Sequence, residues 1–314
     1  MLGPVLLIIA GLVTLTIGAG FLVRGSSSVA LRFGVSPLVV GLTVVAFGTG
    51  SPEFVVSLTA AAEGNSGIAL GNIIGSNISN IALILGIAAL IRPLAVKADI
   101  LRREMPVLVA ASALLWLFVY DGEMSRVDGG ILVFGAIVYT ILIYWLSRQK
   151  VKREVLEEFE DAVETTGKNP IVDGLLIVGG LALLILGANV LLNGSVTIAK
   201  SFGISDVVIG LTVIAIGTSL PELATSAVAA YRNEPDIAFG NAIGSNILNI
   251  LAVLGLTAII QPFSTEGVST LDLGAMMVSV AFLFLMLGRR YILDRIEATI
   301  LLLCYFAYLY TLLR

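Results

Sequence analysis

The sequence has no histidine, only one cysteine, and few charges: 13% of its 314 residues. Without imidazole or a second thiol, it offers no nitrogen and sulfur ligand set of the kind that zinc or copper prefers. The single cysteine, Cys304, cannot form an internal disulfide. The formal net charge is −4 and no long basic face is present, which argues against a nucleic-acid partner. A soluble domain keeps about a quarter of its residues charged, so a soluble fold is also disfavoured.

Apolar residues are abundant instead, at 58% of the chain, with a mean hydropathy of +1.03. They form runs of about 20 residues or more, which is the length a helix needs to cross a hydrocarbon core of about 30 Å. The sequence therefore predicts an all-α membrane protein in the lipid bilayer, with ten transmembrane helices. The predicted spans are about 3–23, 36–62, 68–91, 105–120, 128–147, 171–193, 206–230, 237–260, 271–288 and 297–313.

The basic residues lie mostly on one side of this predicted arrangement. If both termini face outward, only Arg126, Lys200 and Arg314 of the 18 Lys and Arg residues lie in outer segments. Because cytoplasmic loops are enriched in Lys and Arg, we expect both termini outside. The longest inner connection, residues 148–170, lacks the ligand spacing and turn glycine of a calcium loop. We interpret it as a cytoplasmic linker.

The two halves of the chain are similar at an offset of 169 residues. The segment GNIIGSNISN at 71–80 matches GNAIGSNILN at 240–249, and about half of the positions between 33 and 93 equal their partners without a gap. Five spans per half is an odd number, so the second half must cross the membrane in the opposite sense. Inverted repeats are typical of secondary transporters, whose sites lie near the midplane. We therefore predict two inverted five-helix repeats, residues 1–147 and 171–314.

Two acidic residues lie midway along long apolar spans. Glu53 ends the segment GTGSPE and Glu222 ends the segment GTSLPE. A lone carboxylate at that depth costs several kcal/mol, and no Lys, Arg or His lies in the core of any predicted span. The counter-charge is therefore mobile, which means a metal cation or a proton.

Oxygen atoms accompany both glutamates. The proline before each one lacks an N–H, which frees the carbonyl of Gly48 or Gly217. Calcium takes six to eight oxygen ligands. Serine and asparagine side chains four residues apart share one face of the next helix in each half, Ser76 with Asn80 and Ser245 with Asn249. The residue types fit a hard cation.

The two carboxylates together carry a charge of −2, which matches one divalent ion. Brought together without a cation, they would repel, and at least one would tend to hold a proton. This penalty on the empty site favours obligatory exchange of one ion for another. It argues against a passive cation channel, which is an alternative function for such a site. An intramembrane hydrolase would rely on Ser51, which has no histidine or lysine to activate it. We expect no enzymatic activity and no cofactor.

The paired Gly-Thr-x-x-Pro-Glu and Gly-Ser-Asn-Ile-x-Asn segments resemble the alpha repeats of the calcium/cation antiporter superfamily, in its prokaryotic sodium/calcium exchanger branch. The resemblance covers essentially all ten spans. It implies electrogenic exchange of Ca2+ for Na+ by alternating access, in the inner membrane of a prokaryotic cell. It also implies a ligand set centred on Glu53 and Glu222. The remaining ligands would be oxygens of Thr49, Thr218, Ser219, Ser76, Ser245, Asn80 and Asn249, with main-chain carbonyls near Ala46 and Ala215.

Two positions depart from the family pattern. Gly50 stands where serine is usual, so one hydroxyl is missing, and the adjacent Ser51 is expected to point elsewhere. Asn249 is neutral where potassium-dependent relatives have an acid, which implies exchange independent of K+. The alternative is a Ca2+/H+ antiporter of the same superfamily, with protons competing at the carboxylates. Those relatives carry Gly-Asn-x-x-Glu, whereas this chain has Gly-Thr at both sites.

Overall fold

The computed structural model describes residues 2–150, 170–202, 215–265 and 268–312. Most of the linker predicted at 148–170 lies outside these ranges. The described chain is mainly helical, with three π-helical segments and four two-residue strands. The helices are α1 (Leu2–Phe33), α2 (Pro37–Val40), π1 (Gly41–Val45), α3 (Ala46–Thr49), α4 (Ser51–Ala62), α5 (Ser66–Ser79), π2 (Asn80–Ile84), α6 (Leu85–Ile91), α7 (Ala98–Val119), α8 (Arg126–Lys150), α9 (Pro170–Ser201), α10 (Ala215–Thr218), α11 (Leu220–Tyr231), α12 (Pro235–Leu248), π3 (Asn249–Leu254), α13 (Gly255–Ile260), α14 (Thr270–Arg290) and α15 (Arg295–Leu312).

Among the described residues, seven helices are long and apolar enough to cross a membrane. The number rises to eight if two helices joined by a bend are counted as one further span. The pair joins Pro37–Thr49 to Ser51–Ala62 at an angle of 43°. The chain is therefore an all-α integral membrane protein. The predicted count of ten is not reached by this criterion. The charged start of α7 reduces its apolar length, and the predicted span 206–230 falls partly in residues that the structure does not describe.

The two spans Ser66–Ile91 and Pro235–Ile260 form the centre of the bundle. Each is 83% buried, against 17–33% for the other apolar spans. Each also passes through a π-helical segment, π2 or π3, at the same place in the two halves. π-Helical turns are rare and occur often at functional sites. Their presence in both spans indicates that a functional site lies in this region.

The four short strands connect the two halves. β1 (Leu94–Ala95) pairs antiparallel with β4 (Ile292–Leu293), and β2 (Glu123–Met124) pairs antiparallel with β3 (Phe263–Ser264). Each pair therefore joins a strand of the first half to one of the second. At the 169-residue offset, β1 corresponds to β3 and β2 corresponds to β4, so the pairing is exchanged between equivalent segments.

The two longest helices, α1 and α9, pack closely along their length. A Cβ on Gly18 would lie 2.9 Å from the carbonyl oxygen of Gly180, so only glycine allows this approach. One end of the pair is fixed by Asp173, which accepts hydrogen bonds from Ser28 (2.7 Å) and Arg32 (2.9 Å). The pair forms a long support on one side of the central spans.

Candidate cation site

Two helix breaks place the glutamates. α3 ends at Thr49 and α4 begins at Ser51, while α10 ends at Thr218 and α11 begins at Leu220. The residue at each break, Gly50 or Ser219, has nearly the same backbone conformation, with φ −77° and ψ 3° against φ −85° and ψ 7°. Proline near the start of each new helix fits a position where the N–H has no intrahelical partner.

Glu53 and Glu222 lie in the first turns of α4 and α11 and are each only 1% exposed. The partial positive charge at a helix N-terminus stabilises a carboxylate there. It offsets part of the cost of burying these groups.

Glu53 is bound by hydroxyls from both halves of the chain. Its Oε1 accepts from Ser76 Oγ at 3.4 Å and from Ser219 Oγ at 3.3 Å. Ser219 belongs to the second half and also lies 3.3 Å from Ser76 Oγ. The predicted ligands Glu53, Ser76 and Ser219 therefore meet at an interface between the halves.

Glu222 has a different environment. Neither of its carboxylate oxygens has a hydrogen-bond partner among the described residues. Gly50 of the first half faces it: a Cβ on Gly50 would lie 3.9 Å from Glu222 Oε1 and 3.4 Å from Asn249 Oδ1. The hydroxyl that the family pattern provides at this position would therefore stand beside Glu222 and Asn249.

Several buried oxygens of the predicted ligand set are unpartnered. Of eight such side-chain atoms in the described ranges, five belong to this set: Glu53 Oε2, Glu222 Oε1, Glu222 Oε2, Asn80 Oδ1 and Ser245 Oγ. Leaving a buried polar atom unpaired costs about 1–3 kcal/mol, and a cation satisfies such acceptors. No cluster of three or more His, Cys, Asp or Glu residues occurs in the same ranges. Two carboxylates and neutral oxygens suit calcium or sodium as the bound substrate.

Four other predicted ligands lie close to the helix breaks. Thr49 is buried, and its Oγ1 lies 3.1 Å from Val45 O and 3.2 Å from Asn241 Oδ1, so it contacts the second half of the chain. The carbonyl of Ala46 accepts from the N–H of Gly50 at 3.0 Å. Thr218 is buried at the end of α10, and Ala215 begins that helix.

The carbonyl of Gly48, which Pro52 deprives of its amide donor, accepts a hydrogen bond from Ser51 Oγ at 2.7 Å. A carbonyl oxygen has two lone pairs, so this bond leaves one of them. The hydroxyl replaces the missing amide donor. It also gives Ser51 the position predicted for it, away from the carboxylate. The equivalent residue in the second half is Leu220, which has no hydroxyl.

The sequence reasoning missed two asparagines that hold the main chain of the glutamates. In each half, an asparagine amide bridges the glutamate carbonyl and a serine hydroxyl. Asn72 Nδ2 donates to Glu53 O (3.1 Å) and Ser57 Oγ (3.0 Å), and Asn241 Nδ2 donates to Glu222 O (3.1 Å) and Ser226 Oγ (2.9 Å). Their identity at the 169-residue offset is the signal that could have found them.

The fold and this site define an integral membrane protein of the cation-transporter class. Residues 3–145 and 173–314 match the family described as sodium/calcium exchanger protein, and the chain belongs to that family. It is 41% identical over 318 residues to CaxA of Alkalimonas amylolytica, with 99% of each chain covered. It is 31% identical over 341 residues to the sodium/calcium exchanger MaX1 of Methanosarcina acetivorans, covering 98% of this chain and 97% of that one.

A solved structure of the sodium-calcium exchanger NCX_Mj, soaked with 10 mM Na+ and 10 mM Sr2+, superposes on this chain with a TM-score of 0.84. The two are 30% identical, and the match covers 98% of each chain. Cation antiport is the class of activity that the family and this structural likeness support.

Proposed function

We propose that this chain exchanges Ca2+ for Na+ by alternating access, with Glu53 and Glu222 as the central ligands. The observation that carries the proposal is the pair of carboxylates, each 1% exposed. They stand in first helical turns where the two halves of the chain meet. Neither belongs to an ion pair with a basic residue in the part of the chain that the structure describes. A mobile cation is the counter-charge that such a pair requires.

The charge of the site supports exchange rather than leakage. One Ca2+ neutralises the two carboxylates, whereas Na+ must bind at least twice to do the same. The nearby hydroxyl and amide oxygens offer places for further Na+, and exchange of more than two Na+ per Ca2+ moves net charge across the membrane. The proposal therefore includes electrogenic exchange. An empty site with two unscreened carboxylates is the costly state.

The proposed topology is ten spans in two inverted repeats, residues 1–147 and 171–314, joined by the cytoplasmic linker at 148–170. Both termini lie outside the inner membrane of a prokaryotic cell. Strand pairing supports this arrangement. β1 and β4 belong to connections predicted inside, and β2 and β3 belong to connections predicted outside. Paired strands must lie on the same side of the membrane.

Labelling tests the topology directly. In a Cys304→Ala background, a membrane-impermeant maleimide added to intact cells should label Glu123→Cys and should not label Lys97→Cys until the cells are opened. The reverse result would invert the proposed orientation. Labelling of both sites in intact cells would contradict the span count between them.

Transport into proteoliposomes tests the exchange. Vesicles loaded with Na+ should take up Ca2+ only when a Na+ gradient is present, and uptake should be lost in Glu53→Gln and Glu222→Gln. Glu104→Gln is a matched control. Glu104 is also a buried glutamate, but its Oε2 accepts from Tyr139 Oη at 2.9 Å, and an amide oxygen can replace it. Uptake that ignores Na+ and follows a pH gradient would move the chain to Ca2+/H+ antiport.

Added K+ tests the remaining part of the proposal. Because Asn249 is neutral, the site has only two charges to balance. We expect the rate of Na+-driven Ca2+ uptake to stay the same when K+ replaces choline on either side. A rate that rises with K+ would overturn K+ independence.

A further inference from the structure

Four buried asparagines form a closed set of hydrogen bonds between α5–π2 and α12–π3. Asn77 Nδ2 donates to the carbonyl of Asn246 at 3.3 Å, and Asn246 Nδ2 donates to the carbonyl of Asn77 at 3.1 Å. Asn80 Nδ2 donates to Asn246 Oδ1 at 2.9 Å, and Asn249 Nδ2 donates to Asn77 Oδ1 at 3.3 Å. All four side chains are at most 1% exposed.

The donor and acceptor roles in these hydrogen bonds allow only one orientation of the NH2 group and the Oδ1 atom in each asparagine. A main-chain carbonyl can only accept, so the NH2 groups of Asn77 and Asn246 must face the two carbonyls. Their Oδ1 atoms then face the second pair of asparagines and can only accept. Asn249 and Asn80 must therefore present their NH2 groups to this contact and turn their own Oδ1 atoms away.

The direction of those two oxygens is the functional consequence. Asn249 Oδ1 lies 3.4 Å from where a Cβ on Gly50 would stand, on the side of the site that includes Glu222. Asn80 Oδ1 is buried without a partner among the described residues. An asparagine that turned its NH2 group to the site would repel a cation instead of binding it.

We propose that Asn77 and Asn246 are positioning residues that fix the amide orientation of the ligands Asn249 and Asn80. Each acts across the interface, so that an asparagine of one half orients a ligand of the other half. The inference rests on the proposed cation site and assigns a role to two residues outside the predicted ligand set. It also explains why two asparagines occur three residues apart in both halves.

A double-mutant cycle on Ca2+ binding tests this role. The purified full chain in detergent is titrated with Ca2+ alone by calorimetry, in Na+-free buffer. Asn77→Leu and Asn249→Leu should each weaken binding about tenfold, because each removes one aligned oxygen from the ion. Once the amide of Asn249 is gone, Asn77 has nothing to orient. The double variant should therefore stay near tenfold instead of reaching about a hundredfold.

Controls separate orientation from packing. Thr257→Val removes a buried hydroxyl that bonds only within its own helix, to Val253 O at 2.8 Å, and should leave Ca2+ affinity unchanged. In its protonated form, Asn77→Asp keeps the size of the side chain, donates its O–H to the carbonyl of Asn246 in place of the amide, and still offers Asn249 an acceptor. It should retain the binding that Asn77→Leu loses, and it keeps the test valid if the leucine variant does not fold.

The outcomes are distinct. Additive losses in the cycle, or equal losses in the aspartate and leucine variants, would overturn the positioning role. Glu53→Gln and Glu222→Gln are measured in the same titration. If they retain full Ca2+ affinity, the proposed cation site itself is wrong. If they lose binding while the cycle is additive, only the role of Asn77 fails.

Discussion

The two halves of this protein hold their glutamates in the same backbone frame but surround them differently. At the break before Glu53 stands Gly50, and at the break before Glu222 stands Ser219, with nearly equal φ and ψ. Ser219 donates across the interface to Glu53, whereas Gly50 gives Glu222 nothing. The comparison shows that the backbone conformation around the two glutamates is kept in both halves while the side chains that contact the carboxylates differ.

The first feature to test is the pair of asparagines that hold the main chain of the glutamates, Asn72 and Asn241. We expect their loss to have the largest effect on stability. Asn72→Leu removes two partly buried hydrogen bonds, and Asn241→Leu removes two buried ones together with the bond that its Oδ1 accepts from Thr49. In each case one of the lost bonds is to the carbonyl of a glutamate. Asn72→Leu should lose about 1–3 kcal/mol of stability and Asn241→Leu about 1.5–4.5 kcal/mol, because each hydrogen bond contributes about 0.5–1.5 kcal/mol. Thermal unfolding in detergent measures it. A large loss from one variant and none from the other would contradict an equal frame in the two halves.

Making the second half resemble the first is the next test. Ser219→Gly deletes the hydroxyl on Glu53 and leaves a backbone that Gly50 already adopts. We expect Ca2+ affinity to fall about tenfold, which corresponds to about 1.4 kcal/mol, because the bound ion loses one oxygen ligand. The Ca2+ concentration for half-maximal uptake reports the change. Ser219→Ala should match it, and an unchanged value in both variants would rule out Ser219 as a ligand.

The converse substitution restores the missing hydroxyl. Gly50→Ser places an oxygen beside Glu222 and Asn249, but its Cβ would stand only 3.1 Å from the carbonyl of Ala46. We expect the half-maximal Na+ concentration to fall about threefold, because the gain from the new ligand is partly offset by this tight contact. Gly50→Ala adds the contact without the hydroxyl and should not tighten Na+ binding. Equal behaviour of both variants would contradict the assignment.

We expect the smallest effect at the N-terminal caps of α5 and α12, the helices that follow those carrying Glu53 and Glu222. Asn65 stands at this position in the first half and Glu234 in the second. Burial raises the pKa of Glu234, despite a hydrogen bond from Ser27. A raised pKa means that the folded state favours the protonated acid, so stability is greatest below pH 4.5 and falls as pH rises through the raised value.

Glu234→Gln should therefore raise Tm by a few degrees at pH 8 and leave it unchanged at pH 4. Unfolding of both proteins in detergent across this range measures the difference. If the difference in Tm between the two proteins is the same at both pH values, the effect is due to packing and not to the charge of Glu234.

Much of the architecture could be predicted from residue types. Long apolar runs dictate a membrane helix wherever they occur, and an acid within such a run requires a partner. These arguments identified Glu53 and Glu222, and comparison of residue identities at an offset of 169 residues identified the similarity of the two halves. The break at Gly50 was foreseen only as irregular backbone before Pro52, because the bend depends on how neighbouring helices pack.

The contacts within the site could not be predicted in the same way. Ser51 bonds Gly48 within one helix, whereas Ser219 reaches Glu53 across 166 positions of sequence. Residue type and spacing are nearly the same for both serines, so the different expectations for them came from the resemblance to the family and not from the residues themselves. Only the approach of the two halves decides which hydroxyl faces a carboxylate.

The sequence by itself determined that this chain lies in a membrane, carries two buried carboxylates and repeats one pattern twice. The first two follow from the free energy of burying apolar or charged groups, which depends on residue type, and the third follows from comparing residue identities between the halves. The tertiary structure alone decided that Ser219 of the second half contacts the glutamate of the first half and that the asparagines are bound across the interface. Hydrogen bonds act over about 3 Å, so they are set by the packing of distant segments.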